Sequence, residues 1–168
     1  MAALCGAGIS AEPGVPTLRG ADGLWENHRP EDLATPQVFA RDPTLVGRWY
    51  HWWRQLISRC QPNPAHRTLA DLERRLGDTC TLIIQNVDGL HSLTGSREQQ
   101  EFHGSLRRVS RLGCGCEHEQ RRLDLSAPPR CPDCGGLCSG VVWFGENLMP
   151  ACWTAPGGRP RPAGDAGI

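Results

Sequence analysis

The sequence predicts an α/β fold built on a parallel sheet, and three features point to it. Residues 1–5 (Met-Ala-Ala-Leu-Cys) read as the stub of a buried strand running into a glycine-rich turn, Gly6-Ala7-Gly8. Residues 79–84 (Thr-Cys-Thr-Leu-Ile-Ile) are a short apolar, β-rich run bounded by polar residues, as expected of a strand buried in a parallel sheet. Between these stretches the chain signals helices. Each of Thr35-Pro36, Asp42-Pro43 and Asn63-Pro64 places a capping side chain before a proline suited to the first helical turn.

Taken in order, Gly8-Ile9-Ser10-Ala11 is a phosphate-type turn opening a helix, with Ser10 a candidate N-cap. Residues 12–32 are rich in Pro, Gly and charge and read as loop. The helix after Asp42-Pro43 carries the aromatic stretch Trp49 to Trp53. The helix introduced by Asn63-Pro64-Ala65-His66 ends near Arg74-Arg75. Residues 141–144 (Val-Val-Trp-Phe) read as another short strand, and residues 151–168 have a disorder-like Pro/Gly/Arg composition.

A chain of 168 residues can bury one core with a small satellite. Eighteen basic residues balance eighteen acidic ones, which argues against a protein that coats nucleic acid through a positive surface. No run of eighteen apolar residues is present to span a membrane, and the apolar start is too short for a signal peptide. Nine cysteines, several closely paired and with no secretory signal, favour metal over a disulfide framework. A cytoplasmic location is expected.

The chemistry-bearing residues fall into four groups. Gly6-x-Gly8 after a strand lets the backbone approach a pyrophosphate, whose charge a helix N-terminus can stabilise. Gln85, Asn86 and Asp88 offer amides and a carboxylate at the carboxyl end of a strand, where ligands bind in open α/β sheets. The bland alternative is a polar loop closing that strand. His103, between Phe102 and Gly104, is a candidate general base, since imidazole titrates near neutrality. Cys131-Pro132-Asp133-Cys134-Gly135-Gly136 has the spacing and glycines of half a structural zinc site, whereas Cys114-Gly115-Cys116 is a tighter pair. Scattered free cysteines are the plain alternative.

Together, the string from Gly6 to Arg19, then Gln85-Asn86-Val87-Asp88, then Phe102-His103-Gly104 resembles the sirtuins, the NAD-dependent protein-lysine deacylases. The resemblance implies a Rossmann-like sheet with a helical insert and a small zinc-binding module. It assigns NAD contacts to Gly6, Ala7, Gly8, Ile9, Ser10, Glu12, Thr17 and Arg19. It has Gln85 contact ribose, and Asn86 and Asp88 hold the nicotinamide carboxamide. Leu18 departs from the usual Phe, Cys5 from the usual Thr, and Ile84 from the common Thr.

The implied reaction has the acyl-lysine oxygen attack the ribose carbon as nicotinamide departs. His103 then activates the adjacent hydroxyl, giving free lysine, nicotinamide and an acylated ADP-ribose. Val142, Trp143, Phe144, Gly145 and Glu146 resemble the segment that pairs with the peptide substrate.

The position expected for the first zinc cysteine holds Arg111, so Cys114 matches the second. Zinc is then expected on Cys114, Cys116, Cys131 and Cys134, with Cys138 the alternative to Cys116. Several strings resemble the desuccinylase/demalonylase branch, which reads an acidic acyl group with a Tyr and an Arg three residues later. Here Tyr50 is followed at that spacing by Trp53, with the arginine next door at Arg54. Because i and i+4 share a helix face, Arg54 can still reach. An aromatic face packed into a core fits the same residues.

The resemblance stops near Pro150, so the sheet is expected to be incomplete on its C-terminal side. The expected division is 1–34, 79–110 and 139–150 in the partial NAD-binding domain, 35–78 in the helical insert, 111–138 in the zinc module, and 151–168 as an unrelated tail. An acyl-lysine protein or peptide is the expected partner, with no nucleic acid and no membrane. The reading from a different class is an inactive fragment that binds zinc or peptide.

Overall fold

The computed structural model describes residues 1–12, 14–15, 25–26, 28–97, 99–111, 117–119, 128–130 and 135–148. Three strands, β1 (Ala2–Cys5), β2 (Thr81–Ile84) and β3 (Gln99–Glu101), form a parallel sheet in the order β1-β2-β3. Their register decides where the site lies. Cys5 pairs with Ile84, and Ile84 with Glu101, so all three strands end level. The ladder runs one step further, with Gln85 N donating to Cys5 O and Phe102 N donating to Ile84 O. The glycine turn, the amide–carboxylate cluster and the histidine turn therefore leave the same carboxyl edge.

The connections are helical: α1 (Gly8–Ala11), α2 (Pro30–Leu33), α3 (Pro36–Arg41), α4 (Pro43–Ile57), α5 (Pro64–Leu76) and α6 (Leu90–Leu93). The three cap-plus-proline signals each start a helix. Thr35 Oγ1 accepts from Val38 N, Asp42 Oδ1 from Leu45 N, and Asn63 Oδ1 from His66 N, satisfying backbone donors that a helix N-terminus leaves open. Ser10 is not a cap. Helix α1 starts at Gly8, and the Ser10 hydroxyl turns inward to side chains of the site.

Two apolar clusters hold the described residues together. The larger packs α4 through Val46, Trp49, Tyr50, Trp53 and Ile57 against Leu33, Phe39, Leu106 and Trp143. The smaller lies on the sheet at Cys80, Leu82 and Ile84, with Leu69 of α5 over it. On β1, Leu4 is 67% exposed. No helix among the described residues is long and apolar enough to cross a membrane.

A second, antiparallel sheet contains β4 (Arg108–Arg111), β5 (Glu117–Glu119) and β6 (Cys138–Ser139) in the order β5-β4-β6. Arg111 at the end of β4 pairs with Cys138 at the start of β6. Arg130 bridges Leu137 just before it. Cys114, Cys116, Cys131 and Cys134 lie outside the described residues, as does the tail 149–168. Among the described residues no group of His, Cys, Asp or Glu is placed to hold a metal ion.

Residues 141–144 differ from the expected strand. Only Val141 forms a bridge, to Gly104. Trp143 turns into the larger core, its N–H donates to Glu146 Oε2, and Gly145 takes a φ of +87°. Demand for the Trp143 indole in the core and a turn at Gly145 override the β-propensity of the string.

Candidate functional site at the carboxyl edge of the sheet

The glycine turn sits where β1 ends. A Cβ at Gly6 would stand 3.3 Å from Gln85 Oε1, while nothing lies within 4 Å of one at Gly8. Gly6 thus admits the Gln85 side chain, and Gly8 leaves an open approach to the backbone. Ala7 and Gly8 are exposed, and Ile9 is half-buried. Thr17 and Arg19 lie outside the described residues.

Ser10 is the hub behind this turn. Asn86 Nδ2 donates to Ser10 Oγ at 2.9 Å, and Ser10 Oγ lies 3.4 Å from His66 Nε2. His66 is fully buried, with its Nδ1 2.7 Å from Asn63 Oδ1 and 3.4 Å from Asn63 N. The shorter contact decides the tautomer. Asn63 turns its amide nitrogen to Ile9 O and Glu12 Oε2, so its carbonyl oxygen faces His66 and Nδ1 carries the proton. Nε2 is then an acceptor for the Ser10 hydroxyl. Ser10 accepts in turn from Asn86, and the Asn86 amide is held in one orientation.

Asp88 is 3% exposed, and its Oδ1 accepts from Leu90 N at 2.8 Å. The following Gly89 has a φ of +70°, which lets the chain turn into α6.

His103 lies on the turn after β3. Its Nδ1 is 2.8 Å from Gln85 O, and a carbonyl can only accept, so Nδ1 carries the proton. In the neutral ring this tautomer leaves the lone pair on Nε2, the nitrogen that a general base would use. The turn is fixed by Val142 N donating to His103 O, and Gly104 has no room for a side chain because a Cβ would approach Gly140 O to 2.2 Å.

Behind the site lies a second histidine. His91 of α6 is 1% exposed and stacks on His66 with ring centroids 4.6 Å apart. Neither of its ring nitrogens has a hydrogen-bond partner among the described residues. Burial, reinforced by His66, pushes its pKa down to about 4 against the opposing pull of Asp88 and Glu73. Burial also lowers His66.

Tyr50 and Arg54 share one face of α4 and line one crevice with Phe39, Leu106 and Val141, whereas Trp53 packs into the core. Burial disfavours ionisation of both, raising Tyr50 and lowering Arg54. Arg54 Nε donates to Leu106 O at 3.0 Å. In the segment expected to meet peptide, the N–H groups of Val142, Trp143, Phe144 and Glu146 are engaged within the chain.

Sequence reasoning missed Asn63, His66, His91 and Arg107. The first two were legible only as a helix start.

Comparison with known proteins gives this geometry a lineage. The Sir2 family matches residues 6–156. The chain belongs to that family. A Sir2 homologue–NAD complex superposes with a TM-score of 0.79 at 50% identity, covering 90% of this chain and 59% of that one. A triple mutant of a Sir2 homologue with 2'-O-acetyl ADP ribose gives the same score and identity, covering 90% and 61%. An NAD-dependent protein deacylase of Aquifex aeolicus is 51% identical over 147 residues, 86% of this chain and 61% of the relative. NAD-dependent protein deacylase 1 of Archaeoglobus fulgidus is 51% identical over 152 residues, 89% and 62% respectively. This Sir2 chain thus spans about three-fifths of the length of the relatives it matches.

Proposed function

We propose that this chain supplies the nicotinamide- and ribose-binding side, and the general base, of NAD-dependent removal of acyl groups from protein lysines. One observation carries the reading. The level ends of β1, β2 and β3 bring Gly6, Gln85 and the His103 turn to one edge, with His103 Nε2 free to take a proton. In this reading the open approach at Gly8 would admit phosphate, and the Asn86 amide and Asp88 carboxylate, each held by a hydrogen bond within the chain, would meet the carboxamide. In this reading His103 Nε2 accepts a ribose hydroxyl proton and passes it on as products leave. The deacylase names of the relatives support the assignment.

The acyl group is read by the crevice on α4. Tyr50 and the Arg54 guanidinium offer a hydroxyl and a cation on one face, which suits an acidic acyl chain such as succinyl or malonyl. Acetyl needs neither. Structural zinc would be held by Cys114, Cys131, Cys134 and either Cys116 or Cys138, a reading that rests on the two-residue spacing of Cys131 and Cys134 and the glycines after it. The peptide would run along residues 142–146.

The coverage of three-fifths of the relatives favours one other reading, a fragment that binds zinc or peptide without turnover. Calorimetric titration with NAD separates the two. Saturable binding by the 168-residue chain, weakened at least tenfold in Asp88→Ala, supports the deacylase reading. Absence of binding by a folded sample supports the fragment.

A further inference from the structure

The segment that follows the histidine turn is fastened to the amide–carboxylate loop by contacts that none of the functional motifs contains. Leu106 N donates to Val87 O at 2.8 Å, and one residue on, Arg107 Nε donates to Asp88 O at 2.8 Å. Arg107 N is itself held by Ser105 Oγ at 3.2 Å. On its other side, Leu106 O accepts from Arg54. Gly89 makes the Arg107 contact possible, since a Cβ there would lie 2.5 Å from Arg107 Cδ and 2.8 Å from Nε. The arginine stem thus occupies the space that a side chain at 89 would take.

We propose that Arg107 is a positioning residue that locks the Asp88–Leu90 turn to the histidine turn, so that the Asp88 carboxylate and His103 face the ligand as one rigid unit. The inference rests on the deacylase reading for its purpose. The lock itself is a property of the chain. Asp88 points its carboxylate only if the backbone from Asp88 to Leu90 keeps the turn in which Leu90 N donates to Asp88 Oδ1. A charge-assisted donor on the Asp88 carbonyl holds that peptide from the opposite side. Arg107 Nε is engaged with the Asp88 carbonyl, so its effect acts through Asp88.

The atom that matters is Nε, four bonds from Cα. Glutamine places an amide nitrogen at the same distance along the chain and can keep the hydrogen bond without the charge, whereas leucine cannot. The test is amide hydrogen exchange in the full chain for wild type, Arg107→Leu and Arg107→Gln, with nicotinamide affinity measured by titration of the same samples. Loss of one charge-assisted hydrogen bond predicts exchange at Leu90 roughly tenfold faster in Arg107→Leu and largely restored in Arg107→Gln. The amides of Leu82 and Ile84 in the sheet should be unchanged in both variants. Nicotinamide affinity should fall and recover in parallel with Leu90 protection. The positioning role is overturned if Leu90 exchanges as in wild type, if the sheet amides speed up with it, or if the Gln variant behaves as Leu does. A wild-type chain that binds no nicotinamide sinks the deacylase reading instead, while Leu90 exchange still decides the lock.

Discussion

Ser10 shows how one hydroxyl sets the direction of a whole hydrogen-bond chain. It can donate once, and the acceptor state of His66 Nε2 claims that proton, so Asn86 must donate to it and turn its carbonyl outward. Replacing Ser10 by Ala leaves two inward-facing partners without their bond. The expected outcome is a loss of about 1–3 kcal/mol in unfolding free energy and a raised KM for NAD with kcat less affected. Denaturant titration and initial rates measure both. The motif string identified Ser10 as a site residue, but local sequence suggested a cap. A cap is a contact within three residues, whereas the partners of Ser10 stand 56 and 76 residues away.

At the scale of elements, α5 and α6 meet through two buried imidazoles. The groups facing His91 are the His66 ring from α5, Glu73 from the same helix, and Asp88 before α6. Burial depresses the pKa of His91 from its ordinary value to about 4, so the neutral ring is favoured in the folded state. Stability from this pair is therefore complete above the unfolded value near 6.5 and declines as pH falls toward 4. The slope contributed by His91 amounts to roughly 3 kcal/mol over that interval, because each pKa unit corresponds to about 1.4 kcal/mol. His91→Phe should flatten the pH dependence of chemical unfolding between these limits. An unchanged slope would assign the acid sensitivity elsewhere. Helices α3, α4 and α5 were legible because proline and a capping side chain act locally. Strand β3 was not, since Gln99-Gln100-Glu101 is polar and becomes a strand only by pairing with β2.

For the whole molecule, function depends on register. Strands β1, β2 and β3 are each only three or four residues long, yet their level ends place residues more than 90 positions apart around one recess. The parallel class and the carboxyl-edge site were readable from apolar runs followed by glycine and polar clusters. The clamps that hold the edge together, through Asn63, Arg54 and Arg107, were not, because each depends on a backbone carbonyl distant in sequence. The chain covers about three-fifths of its deacylase relatives and holds the proposed base and carboxamide-binding groups. The central claim is that this edge cleaves NAD against an acyl-lysine. Its most direct test is release of nicotinamide by the purified 168-residue chain, supplied with NAD and matched acetyl- and succinyl-lysine peptides, beside His103→Ala. Acyl-peptide-dependent turnover is expected from the wild type, falling by about 100-fold or more in the variant, the range for loss of a general base. Undetectable release from a folded wild-type sample, or equal release from the variant, would contradict it.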